Sequence, residues 1–230
     1  MNAPTRIKFC GLTRREDIAQ AAALGVDHIG FVFAARSPRR LTLEAARALR
    51  DAVPAGVGLV ALVMDTPEDE IAAIVAAVAP DVLQFHGSED DALCRSFGLP
   101  YWKAIAMGAA ARGREAMGEG ALAEAPARAL ASLVDFPGAS AFLFDGHAAG
   151  APGGGGTRFD WTRLPATLDR PFWLAGGLDA GNVATAIATA HPFGVDVSSG
   201  IESAPGIKDA ERMRAFVDAV RRRGDQSVRA

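Results

Sequence analysis

The feature that most constrains the fold is an alternation: short apolar runs are followed by longer segments of helical period, from one end of the 230-residue chain to the other. The runs at 6–10, 27–33, 57–63, 81–86, 101–106, 141–145, 171–175 and 194–198 read as strands. The segments at about 14–24, 42–52, 67–78, 88–97, 118–133, 179–190 and 207–222 read as helices. Strands separated by helical segments of this length build βαβ units on a parallel sheet, which either stays open and doubly wound or closes on itself. Eight units at near-even spacing, with no compositional break to mark a linker, favour a single α/β domain over 1–230, a (β/α)8 TIM barrel.

One place breaks the rhythm. 'GHAAGAPGGGGTRFDW', Gly146 to Trp161, holds too many glycines for a helix interior and is expected to be a mobile loop over about 146–158, then a short turn around Phe159 to Leu164. The tail from about 224 is expected to fray. 'RRR' at Arg221–Arg223 closes the last helix, where cations complement the negative end of the helix dipole.

Composition excludes several classes of function. Half of the residues are hydrophobic and 22% are charged, as in an ordinary globular core and surface. Lys and Arg number 24 against 27 Asp and Glu, a net charge of −3, so no basic surface calls for nucleic acid. No apolar segment has the length or position of a membrane span or an export signal. Two cysteines in unlike contexts, Cys10 and Cys94, make no disulfide framework and fit the cytoplasm.

In a barrel of this kind active sites gather at the C-terminal strand ends, so each strand is informative at its last residues. 'IKFC' ends at Cys10. The two-residue period puts Lys8 and Cys10 on the inner face and Ile7 and Phe9 under the helices. A buried lysine requires a partner, and Asp196 on neighbouring strand 8 is the candidate. 'AFLFD' ends at Asp145, either a cap for the next segment or a proton donor facing Cys10 across the barrel mouth.

Strands 7 and 8 run into 'LAGGLD' and 'VDVSSGIES'. Gly176 and Gly177 allow close backbone approach, and Ser199 and Gly200 offer amide hydrogens ahead of a helix, a pair of loops that suits a phosphate. After strand 2, 'FAARSPRRLT' carries Arg36, Arg39 and Arg40 around Pro38: a fork for a carboxylate or phosphate, or a solvated basic loop. Gln84 and His86 share the inner face of strand 4. The four histidines, at 28, 86, 147 and 191, have no ligand spacing, and neither CxxC nor HExxH occurs, so no metal is expected. Without GxGxxG or GxxxxGK[ST], no nucleotide cofactor is indicated either.

Taken together, 'KFCGLT', 'GFVFAARSPRRLT', 'VLQFHG', 'FLFD' with the later 'FDW', 'LAGGLDAGNV' and 'GVDVSSGIESAPGIKD' resemble the phosphoribosylanthranilate isomerase family, in order and over nearly the whole chain. The resemblance implies a cofactor-free Amadori rearrangement of the small molecule N-(5-phospho-β-D-ribosyl)anthranilate to 1-(2-carboxyphenylamino)-1-deoxyribulose 5-phosphate. It implies that Cys10 is the general base and Asp145 the general acid, that Arg39 holds the anthranilate part and that Asp196 contacts the sugar. The acid role needs a proton on Asp145 near neutrality, although an ordinary Asp has a pKa of about 3.9, so the closed site is expected to raise it. Phe9 stands where the family more often has an aliphatic residue, and the Gly153–Gly156 loop is longer than usual.

Two rivals differ in class. A histidine-pathway isomerase barrel usually carries an aspartate where Cys10 stands, and a non-catalytic phosphate-binding barrel would be expected to lack Cys10 or Asp145. A monomer or a homodimer is compatible with the sequence.

Overall fold

The computed structural model describes residues 4–108, 126–148, 158–165 and 167–226. Eight parallel strands close into a barrel in chain order: β1 (Arg6–Cys10), β2 (His28–Val32), β3 (Gly58–Val63), β4 (Val82–Phe85), β5 (Tyr101–Gly108), β6 (Ala141–Ala148), β7 (Phe172–Leu174) and β8 (Gly194–Val197). Closure joins β1 to β8, with Lys8 opposite Asp196. The helices are α1 (Arg15–Ala23), α2 (Leu43–Arg50), α3 (Glu68–Val78), α4 (Asp91–Ser96), α5 (126–131), α6 (Val183–Ala190) and α7 (Ala210–Gln226). Local chemistry sets several starts. Thr42 accepts the Ala45 amide at 3.1 Å ahead of α2, and Asp90 accepts the Leu93 amide at 2.8 Å ahead of α4.

The alternation within each strand separates two cores. Outward residues such as Ile7, Phe9, Ile29, Phe31 and Phe144 are fully buried under the helices, where Phe9 meets Phe216 of α7 edge-on at 6.1 Å. Inward residues at the lower end of the barrel form a separate plug of Val60, Val82, Trp102, Leu143 and Trp173. Trp102 stacks on Trp173 at 4.7 Å, and His28 meets both rings edge-on at 5.2 Å. Gly58 and Gly194 make room for this plug, since a Cβ on either would collide with His28 or Trp173.

Three boundaries differ from the sequence reading. β6 continues past Asp145 to Ala148, because β5 runs long beside it and pairs Gly108 with Ala148. The strand thus takes the first three residues expected in the loop; 149–157, including Gly153–Gly156, lie outside the described residues, as does the first half of the helix expected over 118–133. Next, α7 does not start at 207. Glu202–Ala204 (β9) and Ile207–Lys208 (β10) pair antiparallel across 'APG' in a ribbon that postpones the helix to Ala210. Finally, α7 runs to Gln226, four residues past the end expected at 222. Short 3-10 turns occur at Ser132–Asp135, Trp161–Arg163 and Ser199–Ile201, the second within the turn expected around Phe159–Leu164.

Candidate active site

Small and polar side chains replace the plug at the upper end of the barrel, leaving a cavity open to solvent, about 670 Å³ with the space at its mouth included. Cys10 from β1, Asp145 from β6 and Asp196 from β8 line it, with Gln84 from β4, His86 just after it and Arg39 from the β2 loop. Gly176, Gly177 and Ser199 complete the rim, while Gly200 lies behind it with no space for a side chain beside the Leu178 carbonyl. The sequence-selected residues other than Gly200 thus line one cavity.

Lys8, fully buried one layer below Cys10, donates to Asp196 Oδ1 at 3.0 Å. A buried ammonium is retained only when paired, and this pair meets the requirement. Burial pushes the Cys10 thiol up from its ordinary value, the Lys8 and Lys208 ammonium groups oppose that push, and the Asp196 carboxylate adds to it. Asp196 is likewise raised, by burial first, with Lys8 opposing. The space above Lys8 and Cys10 depends on Gly30, whose absent Cβ would stand 3.0 Å from the Cys10 sulfur.

Asp145 faces His86, whose Nε2 is 3.6 Å from Oδ2. Gln84 Nε2 lies 3.3 Å from His86 Nδ1; when it donates there, the ring proton sits on Nε2 and points toward the carboxyl. The β7 loop passes directly over Asp145. Gly176 has φ +86°, and a side chain on it would strike the Gly146 amide nitrogen and come within 2.8 Å of Asp145 Oδ1.

Of the three loop arginines, Arg39 alone turns into the cavity wall; Arg36 is exposed, and Arg40 pairs with Glu70 at 3.3 Å on the surface. Gly11, with φ +72°, leaves room for the Arg39 stem, since a Cβ there would lie 2.5 Å from Arg39 Cδ. The fork is not simply open. Arg39 Nε and Nη2 donate to both oxygens of Glu202 at 2.7 and 2.6 Å. Glu202 also accepts from Lys208 Nζ at 2.7 Å. The sequence reading missed Lys208, which it placed in a helix over 207–222, and Glu202, which it left in the connection before that helix; the signal was 'ESAPGIK', two short segments across a Pro-Gly turn.

The expected helix N-terminus behind the anion loops is partly corrected. A 3-10 turn at Ser199–Ile201 follows β8, so the amides there belong to that turn and not to α7. After β7, Asn182 ties the loop down, donating to the Gly177 carbonyl at 2.8 Å and accepting the Asp179 amide at 3.1 Å. Among the described residues no cluster of three His, Cys, Asp or Glu could hold a metal ion, and no helix is long and apolar enough to cross a membrane.

A closed parallel barrel whose upper rim joins a thiol, a carboxyl and glycine-rich loops around one cavity is a (β/α)8 barrel with an enzyme-type site, suited to proton transfer on a small molecule. The family described as N-(5'-phosphoribosyl)anthranilate (PRA) isomerase matches residues 7–219. An N-(5'-phosphoribosyl)anthranilate isomerase from Xanthomonas oryzae pv. oryzae is 53% identical over 218 residues, 95% of this chain and 94% of its own. The crystal structure of phosphoribosyl anthranilate isomerase from Thermus thermophilus is similar at TM-score 0.77 and 33% identity, covering 95% of this chain and 99% of that one. A phosphoribosyl anthranilate isomerase in complex with reduced 1-(o-carboxyphenylamino)-1-deoxyribulose 5-phosphate is similar at TM-score 0.72 and 30% identity, covering 94% and 98%. The chain belongs to the phosphoribosylanthranilate isomerase family.

Proposed function

We propose that the barrel carries out its family's isomerisation with Cys10 as general base and Asp145 as general acid. The substrate is N-(5'-phosphoribosyl)anthranilate and the reaction an Amadori rearrangement in tryptophan biosynthesis. The observation that supports these roles best is that the two titratable groups line one cavity from strands on different sides of the ring.

The chemistry divides into two proton transfers and a tautomerisation. Asp145 gives its proton to the ring oxygen of the furanose as the anilinic nitrogen lone pair pushes, the C1–O bond breaks, and an iminium forms. Cys10 then takes the proton from C2, and the C2–H electrons become the C1–C2 double bond of an enolamine. Ketonisation adds a proton at C1 and removes the one on the C2 oxygen, so the atoms of the substrate are conserved. The thiol is held above its ordinary value in the free site, but the iminium places a positive charge beside it at the step where the thiolate is needed.

The remaining groups bind. Gly176, Gly177, Ser199 and Gly200 offer the phosphate its backbone contacts, Arg39 takes the anthranilate carboxylate, and Asp196, steadied by Lys8, takes a sugar hydroxyl. Gln84 and His86 orient the substrate next to Asp145. The two unpaired cysteines suit a reducing cytoplasm, and the barrel acts as a monomer or homodimer.

The test is an assay of the purified chain with substrate generated in situ from anthranilate, followed by loss of its fluorescence. Turnover in the presence of a chelator is expected, because proton transfers alone complete the reaction. A chain that binds the reduced product but never turns the substrate over would contradict the proposal.

A further inference from the structure

The ribbon that interrupts the β8-to-α7 connection joins three active-site loops. Thr13 Oγ1, just after β1, donates to the Gly206 carbonyl at 2.6 Å. Arg14 Nη2 donates to the Lys208 carbonyl at 3.1 Å, and Asp17 accepts the Lys208 amide at 3.2 Å. From the inner side of the same ribbon, Glu202 grips Arg39 of the β2 loop. Lys208 Nζ spends its remaining donors on Ser198, at 3.1 Å to the carbonyl and 3.4 Å to the hydroxyl. The Ser198 hydroxyl in turn donates to the Cys10 carbonyl at 3.0 Å.

Arg39, Glu202 and Lys208 are each at most 6% exposed, so the cluster has two cations and one anion away from water. Such a group is a weak source of stability, because desolvation offsets most of the Coulomb attraction. It does fix geometry. A guanidinium has two edges able to bind a carboxylate, and Glu202 occupies the one formed by Nε and Nη2. The edge formed by Nη1 and the second Nη2 hydrogen remains for a ligand, and Arg39 lines the cavity.

We propose that Glu202 and Lys208 are positioning residues of this active site: Glu202 locks one edge of Arg39 so that the other presents to the substrate carboxylate, and Lys208 holds Glu202 in that pose. The inference rests on the reading of Arg39 as the carboxylate holder. The charged groups that act on the Cys10 thiol are Lys8, Asp196 and Lys208, and the Arg39 guanidinium, bound to Glu202, also interacts with Cys10. Lys208 therefore has a second effect: it opposes the upward push of burial on the thiol.

Affinity would be measured for two ligands, reduced 1-(2-carboxyphenylamino)-1-deoxyribulose 5-phosphate and its phenylamino counterpart without the carboxylate. Glu202→Gln should cut the preference for the carboxylated ligand about tenfold, leave affinity for the other unchanged, and raise KM more than it lowers kcat. In an Arg39→Ala background the same change should have no further effect on the preference. The Glu202→Gln, Lys208→Met pair removes one charge of each sign, so it guards against misfolding of the single variant, and it should show the same loss. Its kcat/KM profile should also shift to higher pH relative to Glu202→Gln.

A preserved or strengthened preference in Glu202→Gln, with Arg39→Ala losing it, would overturn the positioning role alone. An equal further loss in the Arg39→Ala background would do the same. If Arg39→Ala itself kept the preference, the reading of Arg39 would fall first.

Discussion

The two ends of the barrel interior use the same strand alternation for opposite purposes. At the lower end, inward positions hold Trp102, Trp173, Val60, Val82 and Leu143, closely packed around His28. Two residues beyond Val82, Leu143 and Trp173, the inward positions hold Gln84, Asp145 and Ala175, and the packing gives way to a cavity. Large groups at the bottom make the ring rigid, and small or polar groups at the top face the space that the ring holds open. Stability and chemistry are thus separated along the barrel axis, not around it.

That separation can be broken from either end. Asp145→Asn should lower kcat about 10² to 10⁴-fold, the usual worth of a proton-transfer group, and leave the melting temperature nearly unchanged; initial rates and a thermal scan check it. Trp173→Ala should do the reverse. It should cost about 3–5 kcal/mol of stability, or roughly 10 °C of Tm, while the protein that remains folded keeps its kcat. A large fall in kcat for the folded Trp173→Ala protein would join the two ends energetically.

pH separates them as well. Burial between the two tryptophans pushes His28 down from 6.5 to about 4, with the nearby Lys8 adding to the effect. Below pH 6.5 the unfolded chain takes up a proton that the folded one refuses, so stability falls with pH until the folded group also titrates near 4. The loss between pH 6.5 and 5 amounts to about 2 kcal/mol by linkage, and His28→Gln should flatten that part of a denaturation-against-pH curve.

The smallest effect is expected where the β7 loop covers Asp145. Gly176→Ala forces a side chain onto a backbone with φ +86° and against the Gly146 amide. About a tenfold loss of affinity for inorganic phosphate should follow, read by competition with the reduced product.

The alternation of strand and helix made the barrel legible, because a two-residue period beside a helical one leaves few architectures. Cys10, Asp145, Lys8 and Asp196 were legible for the same reason: inward-facing polar residues at apolar strand ends are costly unless they serve chemistry or a partner. Glu202 and Lys208 were not, since their meaning comes from a ribbon and from a contact across 163 residues to Arg39. The β6 extension depended on how far its neighbour β5 runs, which no local pattern states. The seat behind β8 was misread in detail because a 3-10 turn and a helix start share the same small, polar residues.

The central claim is that Cys10 removes the C2 proton within a cavity that packing elsewhere holds in shape. The most direct measurement takes one preparation of Cys10→Ala and determines both kcat and the Kd of the reduced product. The account predicts kcat lowered about 100-fold or more with Kd within about twofold of the parent protein. Near-normal kcat, or a Kd weakened as much as kcat, would contradict it.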